Sequence, residues 1–164
     1  MTGSADFPKG RVSLLLEDIG EPAENDLRIV VVEAKPGAPE MTEVGEARPV
    51  KPDETSRRFE LIWYCYVAYV VRNESYARVD GEALGDDRLQ IRTNSAFLAY
   101  VAAATLATDD YPGPLTHWSL YTEWQCIDVV SVDPPEIRLL PASEASAGPK
   151  SRNRVFTRLT NPEG

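Results

Sequence analysis

Residues 57–75 read RRFELIWYCYVAYVVRNES, the longest apolar run in the chain. From Phe59 to Arg72, nine of fourteen residues are β-branched or aromatic, a composition that suits a pleated surface better than a helix. Both alternation classes are apolar. Phe59, Leu61, Trp63, Cys65, Val67, Tyr69 and Val71 fall on one side, and Ile62, Tyr64, Tyr66, Ala68 and Val70 on the other. A strand of this kind is central in its sheet and covered on both faces. Fourteen residues would extend about 46 Å at roughly 3.3 Å each, longer than a typical strand. A bend, a bulge or a crossing into a second sheet is therefore expected, with a buried helix as the competing reading. Leu61 to Val71 is only eleven residues, well short of the roughly twenty that span a membrane.

Working outward, Arg11 to Glu17 reads as a short strand with Val12, Leu14 and Leu16 on one face. Leu27 to Ala34, LRIVVVEA, is a stronger strand. Residues 35–56 hold four prolines and two glycines and predict a long irregular connection with a hairpin around Met41 to Ala47. Tyr76 to Asp87 is a loop, and Arg88 to Arg92 alternates as a short exposed strand. Thr93, Asn94 and Ser95 are suitable helix N-caps. Phe97, Tyr100, Val101 and Ala104 then share one face of a helix over 95–107. Leu115 to Val132 predicts strands at 116–122 and 125–132, and EIRLL, 136–140, adds an edge strand. The expected fold is α+β: a mainly antiparallel or mixed sheet of about five to seven strands with one principal helix packed on it. Residues 1–141 read as a single domain and 142–164 as a mobile tail rich in Pro, Ser, Ala and Arg.

The net charge is −9. The tail segment carries four basic and two acidic residues, a net of +2, which leaves −11 on residues 1–141. A body this acidic repels nucleic acid and suits a basic protein partner. No secretory design marks the amino terminus, so a cytoplasmic location is expected, with Cys65 and Cys126 reduced. Two isolated cysteines and one histidine give no metal-site spacing, and neither a metal nor another cofactor is called for.

The chemistry-bearing candidates are few. His117 shares an alternation class with Ser119, Tyr121 and Glu123, and a carboxylate beside it would make a general base. An enzyme would therefore use His117 with Glu123 or Asp128, but no nucleophile motif accompanies them. Asp128 interrupts the apolar run Cys126-Ile127-Val129-Val130. A carboxylate in a buried strand needs a partner, and Arg72, Arg92 or a tyrosine hydroxyl would serve. Arg72 and Glu74 stand where the long apolar stretch ends, a common position for binding residues. Trp63, Tyr64, Tyr66, Tyr69, Trp118, Tyr121 and Trp124 all lie in the two sheet-forming stretches, and any subset on one exposed face would form a binding site. The leading functional reading is a non-catalytic protein-binding domain of inhibitor or immunity type. Its partner- or ligand-binding candidates are Arg72, Glu74, His117, Trp118 and Tyr121. The alternatives are a small-molecule module with an aromatic-lined pocket and a small enzyme using His117.

Overall fold

The structure is a computed structural model that describes residues 6–84 and 87–142. Of the segment expected to be a tail, residues 143–164 lie outside the described residues. The strands in chain order are β1 (Ser13–Gly20), β2 (Leu27–Pro36), β3 (Glu40–Thr42), β4 (Gly45–Ala47), β5 (Val50–Lys51) and β6 (Arg58–Trp63). There follow β7 (Ala68–Asn73), β8 (Glu82–Leu84), β9 (Leu89–Thr93), the helix α1 (Ala96–Ala104), β10 (Thr116–Tyr121), β11 (Gln125–Ser131) and β12 (Glu136–Leu140). The fold is α+β with antiparallel sheets and one α-helix among the described residues.

Ten of the twelve strands divide between two five-stranded sheets, and β3 and β4 pair as a separate two-stranded sheet. The first has the order β1-β2-β6-β12, with β5 paired to the end of β2, and the second has the order β7-β11-β10-β9-β8. The 57–75 stretch supplies a strand to each, so the long apolar run crosses between sheets. The crossing is made at Tyr64–Val67. Cys65 takes a left-handed φ of 54°, unusual for a residue with a Cβ. The backbone is caught on both sides: Tyr66 N–H donates to the Asn25 carbonyl at 3.1 Å and Val67 N–H to the Val130 carbonyl at 2.8 Å.

The sheets stack on one apolar core. Leu14, Leu27, Ile29, Val31, Phe59, Leu61 and Trp63 from the first meet Leu120, Ile127 and Val129 from the second. Each large side chain removed from water contributes about 1.5–3 kcal/mol. β6 matches the central strand expected from its composition: Phe59, Leu61 and Trp63 face the core, while Glu60 and Ile62 are buried on the other face. β7 does not. It is an edge strand that alternates between half-buried and exposed positions, because its only neighbour is β11.

Other expectations need correction. β1 begins at Ser13 and runs to Gly20, with a bulge between Leu16 and Asp18. The segment around Arg92 is not exposed. β9 lies between β8 and β10, and Arg92 is buried. α1 turns Val101 inward but leaves Tyr100 in solvent. Tyr100 stacks instead on Phe97, at 6.2 Å between ring centroids. The hairpin at 40–47, the β10–β11 pair and the β12 edge strand all form.

Gly81 links this frame to the site. Its φ is +67°, and a Cβ there would penetrate the Thr93 carbonyl and sit 3.2 Å from the Ser95 backbone. The close approach holds Asp80 against the start of α1, where its carboxylate accepts from Ala96 N–H at 2.6 Å. Gly81→Ala is expected to destabilise the protein by more than the ~1 kcal/mol typical of a positive-φ glycine, measured by urea unfolding.

Candidate functional site

The outer face of the second sheet is polar where a sheet face under a helix is usually apolar. Residues of β10 pointing outward are His117, Ser119 and Tyr121. Directly opposite them on β11 stand Val130, Asp128 and Cys126. On the far side of β11, Arg72 pairs with Cys126, and on the far side of β10, Arg92 pairs with His117. Strand pairing alone thus gathers Asp128, His117, Ser119, Arg72, Arg92 and Tyr121 onto one surface.

Asp128 is at its centre and is 1% exposed. Oδ2 accepts from Arg72 Nη2 at 2.6 Å and Nε at 3.1 Å. Oδ1 accepts from the Ser119 hydroxyl at 2.6 Å and lies 2.9 Å from His117 Nε2. Burial pulls the Asp128 carboxyl upward, but hydrogen bonds from His117, Ser119 and Arg72 outweigh it and hold the group below its ordinary 3.8. The carboxylate therefore fixes the imidazole with its proton on Nε2. Nδ1 is then the acceptor for the Ser95 hydroxyl at 2.7 Å. Ser95 Oγ in turn accepts from Leu98 N–H at 3.1 Å and caps α1. Phe97 closes the layer, its ring 5.4 Å from the imidazole and edge-on to it.

A hydroxyl, an imidazole and a carboxylate in this order serve acyl transfer when the hydroxyl opens on a cleft. Here Ser95, His117 and Asp128 are 3%, 2% and 1% exposed, and the helix lies over them. The geometry is that of a structural relay. Glu123, the other carboxylate considered for His117, faces Arg88 at 3.5 Å instead. Of the expected binding residues, His117 is therefore sealed in. Trp118 points the opposite way and packs on the core between the sheets, because the strand's period of two sends it to the other face. Arg92, a candidate partner for Asp128, donates instead to the Tyr121 hydroxyl at 2.6 Å and to Gln90 Oε1 at 3.0 Å.

Arg72, Glu74 and Tyr121 do come together. They border a hollow of about 300 Å³ at the end of the polar layer, completed by Arg78, Arg88 and Cys126. Arg78 and Arg88 carry no signal in the sequence, since one is a single charge in a loop and the other opens a short alternating strand.

A second surface gathers the tyrosines of the crossing. Tyr64 and Tyr69 are exposed, and Tyr66 meets Tyr69 edge to face at 5.1 Å. The turn between β1 and β2 lies beside them. Tyr66 donates its hydroxyl to Glu21, and Tyr64 donates to Glu136 at 2.9 Å. The bond to Glu21 pushes the Tyr66 phenol up to about 12. Glu21, Glu24 and Asp26 all stand in this turn, and none has a basic side chain within ion-pair distance among the described residues.

No family model, curated protein or solved structure matches this chain. No helix among the described residues is long and apolar enough to cross a membrane.

Asp128→Ala is expected to cost about 3–5 kcal/mol in urea unfolding, because it leaves Arg72 facing a buried gap and frees His117. The pH dependence follows from the depressed carboxyl. With the folded value below the unfolded one, the stabilisation is complete above about pH 4 and is lost as pH falls through the folded pKa. The stability gap between wild type and Asp128→Asn should therefore narrow as pH falls below about 4.

Proposed function

We propose that the chain is a cytoplasmic, non-catalytic protein-binding domain of inhibitor or immunity type, and that it docks a basic protein partner through the tyrosine face of the β6–β7 crossing. The observation that carries this reading is the pairing of half-exposed tyrosines with uncompensated carboxylates. Tyrosine supplies large contact area at low entropic cost, and it is enriched among residues that dominate binding energy. The hydroxyls of Tyr64 and Tyr66 are already held by Glu136 and Glu21, so the rings are oriented before a partner arrives and little further ordering is required. Glu21, Glu24 and Asp26 provide an acidic rim. Such a rim accelerates encounter with a positively charged surface and disfavours acidic partners, nucleic acid among them. This face replaces Arg72, Glu74, His117, Trp118 and Tyr121 as the docking site. His117 is enclosed, Trp118 packs on the core from a partly buried position, and the other three border the hollow on the opposite side of β7.

The test is affinity capture from cytosol of the cells that encode the chain, with wild type and the double variant Glu24→Lys/Tyr69→Ala run in parallel. A basic protein should be retained by wild type at low salt, be released at high salt, and be lost from the variant while its melting curve still shows a cooperative folded state. Purified, its association rate should fall by about tenfold or more between 50 and 500 mM salt. Equal retention by both proteins, or a rate indifferent to salt, would overturn the reading.

A further inference from the structure

We propose that the free edge of β12 is a docking site for a segment of this same chain, residues 154–158, which adds to the first sheet as a further strand. The contact does not depend on the tyrosine face binding a partner. β12 ends the order β1-β2-β6-β12, and β6 is its one strand neighbour among the described residues. Such an edge offers unpaired backbone donors and acceptors to any extended chain. It also carries apolar surface that nothing covers. Leu139 stands opposite Phe59, so it lies on the core face, yet it is 56% exposed because no strand lies beyond it. Ile137, opposite Leu61, packs on the core from the same face.

Sequence and charge select the occupant. The chain leaves β12 where Arg58 Nη1 donates to the Pro141 carbonyl at 3.3 Å. Residues 141–153, PASEASAGPKSRN, are rich in turn formers, and closing a connection of this length costs little more than closing a short one. RVFTR, 154–158, follows, with Val155, Phe156 and Thr157 favouring a strand. Laid antiparallel with Val155 opposite Leu139, the segment matches β12 pair by pair. Thr157 then meets Ile137 on the core face. On the outer face Arg158 meets Glu136, and the Phe156 ring meets the half-exposed Arg138 guanidinium. A slip of one residue would turn Arg154 and Arg158 onto the core face.

The net charge of +2 on residues 142–164 complements the −11 on residues 1–141. A second copy fits the edge less well. An antiparallel pair of β12 strands centred on Arg138 sets two guanidiniums against each other, whereas the chain's own segment is held near the edge at a local concentration in the millimolar range.

The experiment is NMR on the isotope-labelled full chain with no partner added. Cross-strand contacts should join Val155 to Leu139 and Thr157 to Ile137, and the amides of 154–158 should exchange at least about tenfold more slowly than in an unstructured chain. Val155→Asp places a carboxylate against Leu139. It should abolish both signals while the β6–β12 contacts persist, which shows that the rest of the protein is folded. Four results would overturn the proposal. They are unprotected exchange throughout 154–158, contacts of this segment with another surface such as the tyrosine face, contacts that arise only between differently labelled copies, and protection unchanged in Val155→Asp.

Discussion

A single buried carboxylate organises one whole side of this molecule. Asp128 stands in the middle of an otherwise apolar strand, and a charge there is tolerated only when every lone pair is met. Arg72 meets it from the next strand, and Ser119 and His117 meet it from the other neighbour. The consequence propagates. An imidazole with its proton committed to Asp128 needs a donor at its other nitrogen, and Ser95 is that donor. Ser95 is also the cap of α1, so the helix is moored to the sheet through a polar chain rather than through an apolar stripe. The helix has few inward apolar residues, Val101 being the one fully buried, and the relay makes up for them.

The alternation of β7 then divides the surface in two. Arg72 leaves one face of the strand and reaches Asp128 and the hollow. Tyr69 leaves the other and joins the tyrosines of the crossing. Because β7 is an edge strand, neither set is covered by a further neighbour. The crossing itself requires Cys65 to hold a left-handed conformation, and it brings Tyr66 to Glu21 in the acidic turn before β2 and Tyr64 to Glu136 of β12. A tyrosine face and a hollow thus lie on opposite sides of one six-residue strand, and a hydroxyl–imidazole–carboxylate relay joins the helix to the sheet.

The sequence by itself determined the α+β class, most of the strands and the helix after residues 93–95, and it left 57–75 to a bend, a bulge or a crossing between sheets. Each depends on local composition, turn residues or length, which neighbours in sequence express directly. It also announced that Asp128 must be paired, because a carboxylate among Cys126, Ile127, Val129 and Val130 violates the pattern around it, and Arg72 was among the partners that could serve. Only the tertiary structure decided that His117 is enclosed and that Trp118 fills the core. It also decided that Tyr64, Tyr66 and Tyr69 are the aromatics left at the surface, and that Arg78 and Arg88 share a hollow with Tyr121. The reason is that burial depends on which sheet face another element covers. That is set by pairings such as Arg72 with Asp128, 56 residues apart, and by how two sheets stack, neither of which leaves a periodic trace in the chain.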